Sequence, residues 1–267
     1  MNAPIGVFDS GVGGLTVLRA LREAMRAENF IYLGDTARLP YGTKSAATVV
    51  RYSLQCAAAL IQRRIRCLVV ACNTASASAL EVLRAKHPEL PVIGVIEPGA
   101  EAAVAASESQ HIAVIATEGT VGGGAYQTAI HRLNPHARVT SAACSLFVSM
   151  AEEGWTDGPI AEAVARRYLD PIFQKRDAPD TLVLGCTHFP ALAAAIRAVL
   201  PPHVRIIDSA ATTAAAVRLR LHAVPEEAGA AGAVSWLATD GAERFARVGS
   251  TFLGETVRAE AVEIIDL

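Results

Sequence analysis

The chain has 267 residues, 52% apolar and 19% charged, so it can bury a core and is not intrinsically disordered. Its 24 Lys and Arg residues are balanced by 26 Asp and Glu residues, and the net charge of −2 argues against a nucleic-acid partner. The N-terminus enters a strand-like run at once, and no uncharged apolar stretch reaches about 18 residues, so we expect neither a signal peptide nor a membrane span. The length suggests roughly two domains, and we expect a cytoplasmic protein without a membrane partner.

Apolar runs and helical spacings alternate through the first half of the chain. The pattern predicts, in turn, a strand at Ile5–Phe8, a helix at Leu15–Arg26, a strand at Phe30–Leu33, a helix at Ala46–Arg63, a strand at Cys67–Ala71, a helix at Ser76–Ala85 and a strand at Pro91–Ile96. The run at Cys67–Ala71 is continuously apolar, as strands of parallel sheets usually are. This order predicts an α/β fold with a mainly parallel sheet.

The second half follows a similar plan. The pattern predicts strands at Ile112–Ala116 and Thr181–Leu184, a helix at Ala191–Val199, a strand at Val204–Ile207, a loop at Pro225–Ala233, and late strands at Ser235–Thr239 and Ala261–Ile265. A strand-and-helix plan that occurs twice favours two α/β units over one large sheet.

An internal duplication relates these two halves. The stretch Leu68–Thr74 resembles Leu182–His188, with Cys72 opposite Cys186 at an offset of 114 positions. The segment from Ile5 resembles the segment from Ile112 at an offset of 107. We therefore predict two similar α/β domains with mainly parallel sheets, related by a pseudo-twofold axis, with the active site in the cleft between them. Residues 1–97 with 209–267 form the first predicted domain, and residues 98–208 form the second.

Polar residues cluster where the predicted strands end, which is where open α/β sheets bind ligands. These residues are Asp9, Ser10, Cys72, Asn73, Thr74, Thr117, Thr120, Cys186, Thr187 and His188. Each cysteine precedes a predicted helix, whose N-terminus favours a thiolate and attracts carboxylates. If the halves face each other, two thiols flank one anionic ligand. Two acid/base groups on opposite faces of one carbon are typical of a racemase or epimerase.

Other interpretations of these motifs are weaker. The Gly11–Gly14 turn lacks the dinucleotide fingerprint, and a tight strand-to-helix turn explains it. Cys186 with His188 is compatible with a thiol hydrolase or a metal site, but no CxxC or HxxxH pattern accompanies them. The odd number of cysteines argues against a disulfide framework, and we expect Cys56, Cys67 and Cys144 to be packing residues.

Several longer motifs together resemble the cofactor-independent glutamate racemases of the aspartate/glutamate racemase superfamily. They are Ile5–Thr16, Tyr32–Lys44, Ala71–Ser76, Gly94–Gly99, Glu152–Gly154 and Leu184–Pro190, in the order of that family. The motifs run from residue 5 to residue 190, so the resemblance covers most of the chain. One departure is Ser145, where the family pattern leads us to expect proline, just before the segment that carries Glu152.

The resemblance implies roles for individual residues. Cys72 acts on D-glutamate and Cys186 on L-glutamate, with Asp9, Glu152 and His188 as assisting catalytic groups; Glu153 is the alternative to Glu152. Substrate contacts are implied for Asp9, Ser10, Pro40, Tyr41, Gly42, Asn73, Thr74, Thr187 and His188, to which the strand-end argument adds Thr117 and Thr120. No pyridoxal phosphate, metal or nucleotide is implied. A bacterial homodimer that supplies D-glutamate for peptidoglycan synthesis is implied.

Three alternatives stay open at this point. The first is a racemase of the same superfamily that acts on aspartate or another amino acid. The second is a protein that binds glutamate, or a partner protein, in the cleft without turnover, and it predicts no exchange of the α-proton. The third is a Cys/His hydrolase, which predicts an acyl intermediate on Cys186 and indifference to the loss of Cys72.

Overall fold

Two parallel β-sheets organise the protein. A computed structural model describes residues 3–221 and 231–267. Its strands are β1 (Ile5–Asp9), β2 (Phe30–Gly34), β3 (Cys67–Val70), β4 (Val92–Gly94), β5 (His111–Ala116), β6 (Arg138–Ala143), β7 (Thr181–Gly185), β8 (Arg205–Asp208), β9 (Val234–Ala238) and β10 (Val262–Ile264). One sheet has the order β10-β9-β2-β1-β3-β4 and the other the order β6-β5-β7-β8. Neighbouring strands are parallel throughout, so the predicted fold class is confirmed.

Helices connect successive strands and cover the sheets. They are α1 (Leu15–Ala24), α2 (Ala46–Gln62), α3 (Asn73–Lys86), α4 (Ile96–Ala106), α5 (Glu118–Gly122), α6 (Ala125–Leu133), α7 (Leu146–Glu153), α8 (Gly158–Phe173), α9 (Ala193–Val199), α10 (Ser209–Arg220) and α11 (Ala242–Leu253). Every residue of the central strands β1, β3, β5 and β7 is buried, because helices cover both faces. No helix within these two described ranges is long and apolar enough to cross a membrane.

The two sheets repeat one arrangement. The inner strand order β2-β1-β3-β4 matches β6-β5-β7-β8, so β1 corresponds to β5 and β3 to β7. Helix α10 follows β8 of the second sheet and packs against α1 and α4. Because parallel strands end at a common edge, this repetition places two sets of strand ends in equivalent positions.

The segment after residue 209 adds two strands to the first sheet. β9 pairs with β2 over Phe30–Gly34, and β10 pairs with β9. The division into residues 1–97 with 209–267 and residues 98–208 stays a prediction. Most of the loop predicted at Pro225–Ala233 lies outside the described residues, which resume at residue 231.

Candidate active site

The carboxyl ends of the two sets of strands enclose a small cavity of about 30 Å³, roughly the room of one water molecule. Every predicted site residue except Asp9 and Thr120 lines this cavity, and Gly11, Leu39 and Val148 complete its wall. Cys72 follows β3, and Cys186 follows β7.

Cys72 is the N-cap residue of α3, as its position before the helix predicts. Its Sγ accepts a hydrogen bond from the Ala75 backbone N–H at 3.4 Å and donates to Ser10 Oγ at 3.7 Å. Burial, with a further contribution from the Asp9 charge, raises the pKa of the Cys72 thiol to about 12, although the Ala75 N–H opposes this shift. At neutral pH the resting Cys72 is thus a protonated thiol, the form that can donate a proton.

Cys186 lies beside a histidine. Its Sγ is 3.8 Å from His188 Nδ1, and both side chains are buried. Burial lowers the pKa of His188, but the hydrogen bonds with Cys186 and Glu152 outweigh it and raise the pKa to about 10. His188 therefore holds its proton at neutral pH, and an imidazolium at this place stabilises negative charge on the Cys186 sulfur.

A line of charged groups continues from His188 towards the surface. Glu152 Oε1 accepts from His188 Nε2 at 3.1 Å, and Glu152 Oε2 accepts from Arg244 Nη2 at 2.9 Å. Burial opposes the charge on Glu152, but the bonds from both cations outweigh it and lower the pKa of the carboxyl group. Glu153 is exposed, whereas Glu152 lines the cavity. Ser145, in place of the expected proline, has helical dihedral angles at the start of α7 and leaves this geometry intact.

Asp9 lies beneath the cavity rather than in its wall. It is fully buried, its Oδ2 accepts from the Gly11 N–H at 3.0 Å, and burial raises its pKa against the opposing charge of His188. The glycines that follow it allow close packing: a Cβ on Gly14 would lie 2.5 Å from the Asp9 Cβ, and one on Gly13 would lie 2.5 Å from His188 Cε1. The turn is thus explained by close contact between the two strand-end loops.

Three threonine hydroxyls join the two walls. Thr74 Oγ1, at the start of α3, is 3.0 Å from Thr117 Oγ1 and 3.1 Å from Thr120 Oγ1, and the latter two are also 3.1 Å apart. Thr117 lines the cavity, whereas Thr120 is buried behind it. A Cβ on Gly42 would lie 2.7 Å from the Thr117 Cβ, so glycine is required for the approach of this loop.

Two polar atoms at the site are buried without a hydrogen-bond partner among the described residues. They are Asp9 Oδ1 and Asn73 Nδ2. Tyr126 was not predicted as a site residue. Its hydroxyl donates to Asn73 Oδ1 at 2.8 Å and leaves the Nδ2 of the same amide available. A buried orphan acceptor and a buried orphan donor are costly unless a ligand completes them. An ammonium group and a carboxylate have the matching chemistry.

A second set of residues that sequence reasoning missed holds the loop that contains Pro40, Tyr41 and Gly42. Asp35 is fully buried and accepts from Arg38 Nε at 2.7 Å, from Thr239 Oγ1 at 3.0 Å and from the Tyr41 hydroxyl. Its only sequence signal is its place inside the Tyr32–Lys44 motif, because Thr239 is distant in sequence. The network fixes one wall of the cavity to β9.

The remaining cysteines lie away from the cavity wall. Cys56, Cys67 and Cys144 are buried, and Cys56 contacts Tyr41 at 3.8 Å. Burial raises the pKa of each of these three thiols to about 12. Across the described part of the chain, no group of three or more His, Cys, Asp or Glu side chains has a metal-binding arrangement.

Comparisons with known proteins agree with this geometry. Residues 5–217 match the Asp/Glu/Hydantoin racemase family. A glutamate racemase of Geobacter metallireducens is 50% identical over 252 residues, which cover 94% of this chain and 92% of that protein. The glutamate racemase of Francisella tularensis in complex with D-glutamate has a TM-score of 0.88 and 36% identity, covering 99% of this chain and 98% of its own.

A second solved structure extends the comparison to the other enantiomer. The Escherichia coli glutamate racemase in complex with L-glutamate and an activator has a TM-score of 0.75 and 31% identity, covering 94% of this chain and 96% of its own. The relatives thus match this chain over nearly its full length, in sequence and in fold. The chain belongs to the Asp/Glu/hydantoin racemase family.

Proposed function

We propose that this protein is a glutamate racemase, in which one of the two thiols, Cys72 or Cys186, removes the α-proton of glutamate and the other donates a proton to the opposite face. The observation that carries the proposal is the placement of these two thiols at equivalent strand ends, in the wall of one cavity. Relatives named glutamate racemase that bind D-glutamate and L-glutamate support the choice of substrate.

The proposed reaction needs two thiols in opposite protonation states. With D-glutamate, a Cys72 thiolate takes the α-proton, and the electron pair of the broken C–H bond is delocalised into the adjacent carboxylate. The Cys186 thiol then donates its proton to the opposite face, which yields L-glutamate, a Cys72 thiol and a Cys186 thiolate. The reverse reaction starts from this second state, and protons are conserved in both directions.

Each thiol has its own assisting group in this mechanism. The Asp9 charge raises the pKa of Cys72 and so favours the thiol that forms when Cys72 has taken the α-proton. His188 bears a proton beside Cys186 and stabilises the thiolate that forms when Cys186 has donated. Glu152 keeps His188 oriented and protonated. We therefore assign Asp9, Glu152 and His188 as assisting groups.

The proposed substrate contacts follow from the donors and acceptors in the cavity wall and, for Asp9, directly behind it. The Asp9 Oδ1 atom is suited to the ammonium group, and Asn73 Nδ2 is suited to a carboxylate. Ser10, Thr74, Thr117 and Thr187 supply further hydroxyl donors, and Pro40, Tyr41, Gly42 and His188 complete the enclosure. Binding of a dicarboxylic amino acid satisfies polar groups that are otherwise buried without partners.

The wider setting is proposed from the family resemblance. The product D-glutamate would supply peptidoglycan synthesis in a bacterial cytoplasm, and the protein would act as a homodimer without a bound cofactor. Small-angle scattering of the purified protein tests the dimer, because a monomer and a dimer of this 27.9 kDa chain differ twofold in mass.

The decisive test uses purified protein with L-glutamate in D₂O, followed by proton NMR and circular dichroism. We expect the α-proton signal to disappear while the ellipticity decays to zero. Exchange with constant ellipticity would mean that one base works, and would contradict racemisation. No change of either signal in a folded sample, followed by activity in a panel with aspartate and other amino acids, would reassign the substrate. Saturable binding without exchange would identify a binding protein.

A further inference from the structure

We propose that Arg244 is a positioning residue that, through Glu152, aligns His188 for proton transfer at Cys186. The proposal rests on the function proposed above and extends it to a residue of the C-terminal segment. We call His188, Glu152 and Arg244 the charged triad.

The Glu152 carboxylate is held at both of its oxygens. Glu152 has two oxygens, and each accepts from a different cation, His188 at 3.1 Å and Arg244 at 2.9 Å. The Glu152 side chain is only 11% exposed, so rotation of its carboxylate is limited by both contacts. A carboxylate held at both oxygens presents a fixed acceptor to His188 Nε2, which in turn fixes Nδ1 towards Cys186.

Arg244 occupies an unfavourable position for a cation in its helix. It lies in the first turn of α11, which begins after Gly241 at a φ of +65°. The N-terminus of a helix carries partial positive charge, so a cation in the first turn opposes the helix dipole. Helix stability therefore does not account for arginine at this position, whereas the Glu152 carboxylate does.

Helix α11 contacts His188 a second time, through Phe252. The ring of Phe252, two turns after Arg244 on the same helix, packs edge-on against the His188 ring with centroids 5.2 Å apart. In the chain, α11 comes between β9 and β10, which belong to the first sheet. Glu152 and His188 instead follow β6 and β7 of the second sheet. The Arg244–Glu152 contact thus crosses between the two sheets.

Arg244 is outside the wall of the active-site cavity and instead lines a neighbouring cavity of about 220 Å³. We therefore expect its loss to change kcat more than KM. Cys186 and Asp9 are the titratable groups that face His188 from outside the triad. Glu152 faces the two cations of the triad, His188 and Arg244. Removal of Arg244 takes away a cause of the lowered pKa of Glu152, so the carboxylate becomes protonated at a higher pH.

The test compares three variants with the unmodified protein. Arg244→Met removes the charge and keeps much of the length, and Arg244→Lys keeps a charge that can reach Glu152. Arg247→Met removes an exposed arginine of the same helix, one turn further on, as the matched control. We expect kcat to fall about tenfold in Arg244→Met, to recover in large part in Arg244→Lys, and to stay unchanged in Arg247→Met.

The distinguishing readout is exchange without inversion. Because the enantiomers have equal free energy, kcat/KM must fall equally in both directions, and rates alone cannot identify the affected thiol. In D₂O, slow proton donation by Cys186 gives the Cys72 thiol time to exchange the proton that it has taken for a solvent deuteron. Return of this deuteron to the intermediate yields α-deuterated D-glutamate. We therefore expect the ratio of α-proton exchange to inversion to rise in Arg244→Met for D-glutamate and not for L-glutamate. The acid limb of its kcat/KM profile is expected to move to higher pH.

A substrate-free measurement separates this proposal from the proposed function. Mass spectrometry follows alkylation of Cys186 and Cys72 by iodoacetamide in one sample, so Cys72 reports any general opening. Slower alkylation of Cys186 relative to Cys72 in Arg244→Met supports the positioning role even if glutamate is not the substrate. The same alkylation ratio in Arg244→Met and Arg247→Met, or an exchange ratio that rises equally for both enantiomers, would overturn it.

Discussion

The two cysteine sites are equivalent in topology and different in surroundings. Cys72 and Cys186 follow β3 and β7, which occupy the same place in the two strand orders. Cys72 caps a helix of 14 residues and receives the Ala75 N–H, whereas Cys186 precedes a short 3-10 helix and faces an imidazole. One wall therefore stabilises a thiolate with a backbone dipole, and the other with a side-chain cation.

The difference shows how one duplicated scaffold can serve two unlike thiols. Burial disfavours a thiolate at either place, so each needs a compensating group within hydrogen-bond reach. At Cys72 the nearby Asp9 charge adds to the penalty of burial and keeps the resting thiol protonated. At Cys186 the His188 proton works in the opposite direction. The two walls therefore place thiols with unlike neighbours on the two sides of the cavity, which suits a 1,1-proton transfer.

The strongest test of the comparison removes each thiol in turn. We expect Cys72→Ser and Cys186→Ser each to lower kcat by about 10³-fold or more, because a serine hydroxyl neither gives nor takes a proton near neutral pH. Circular dichroism with either enantiomer measures the loss. Cys144→Ser is the matched control, since Cys144 is buried outside the cavity wall, and it should retain activity. Turnover near the unmodified level in either active-site variant would rule out the two-thiol mechanism.

The next test concerns the proton on His188. We expect His188→Asn to lower kcat by about 10²-fold and to change how stability depends on pH. The pKa of His188 is raised from 6.5 to about 10, so the folded state binds this proton more tightly than the unfolded state does. The resulting stabilisation is fully present below pH 6.5 and is lost progressively as the pH rises to about 10.

Urea unfolding at several pH values measures this linkage. The difference in free energy of unfolding between the unmodified protein and His188→Asn should be largest near pH 6.5 and should narrow towards pH 10. A difference that is constant over this range would mean that His188 titrates alike in the folded and unfolded states, and the proposed contrast between the walls would fail.

Local sequence patterns predicted the central strands of the fold well. β1, β3, β5 and β7 are short, have continuously apolar interiors and are followed within three residues by a polar one, which is typical of buried parallel strands. The edge strand β6, Arg138–Ala143, was not predicted, because its ends are exposed and its interior is only half-buried. Helices α4, α6, α8, α10 and α11 were also not predicted as elements.

The cavity wall was predicted from strand ends and motifs, but its supports were not. Asp35, Tyr126 and Arg244 act through partners that lie far away in sequence: Thr239, Asn73 and Glu152. No periodicity or spacing in a single sequence encodes such pairs, because they arise only when two sheets and a C-terminal helix meet. Thr120 shows where the strand-end argument itself falls short. Its place after β5 predicted a residue of the cavity wall, whereas the structure buries it behind that wall.

The smallest expected effect concerns the threonines that join the two walls. Thr120→Val removes two hydroxyl contacts, but Thr74 and Thr117 remain 3.0 Å apart and still bond to each other. We expect a loss of about 1 kcal/mol in the free energy of unfolding with little change in KM. Thr117→Val should cost a similar amount of stability and also raise KM, because Thr117 lines the cavity. Equal KM values for the two variants would show that the hydroxyl cluster joins the walls without contacting substrate.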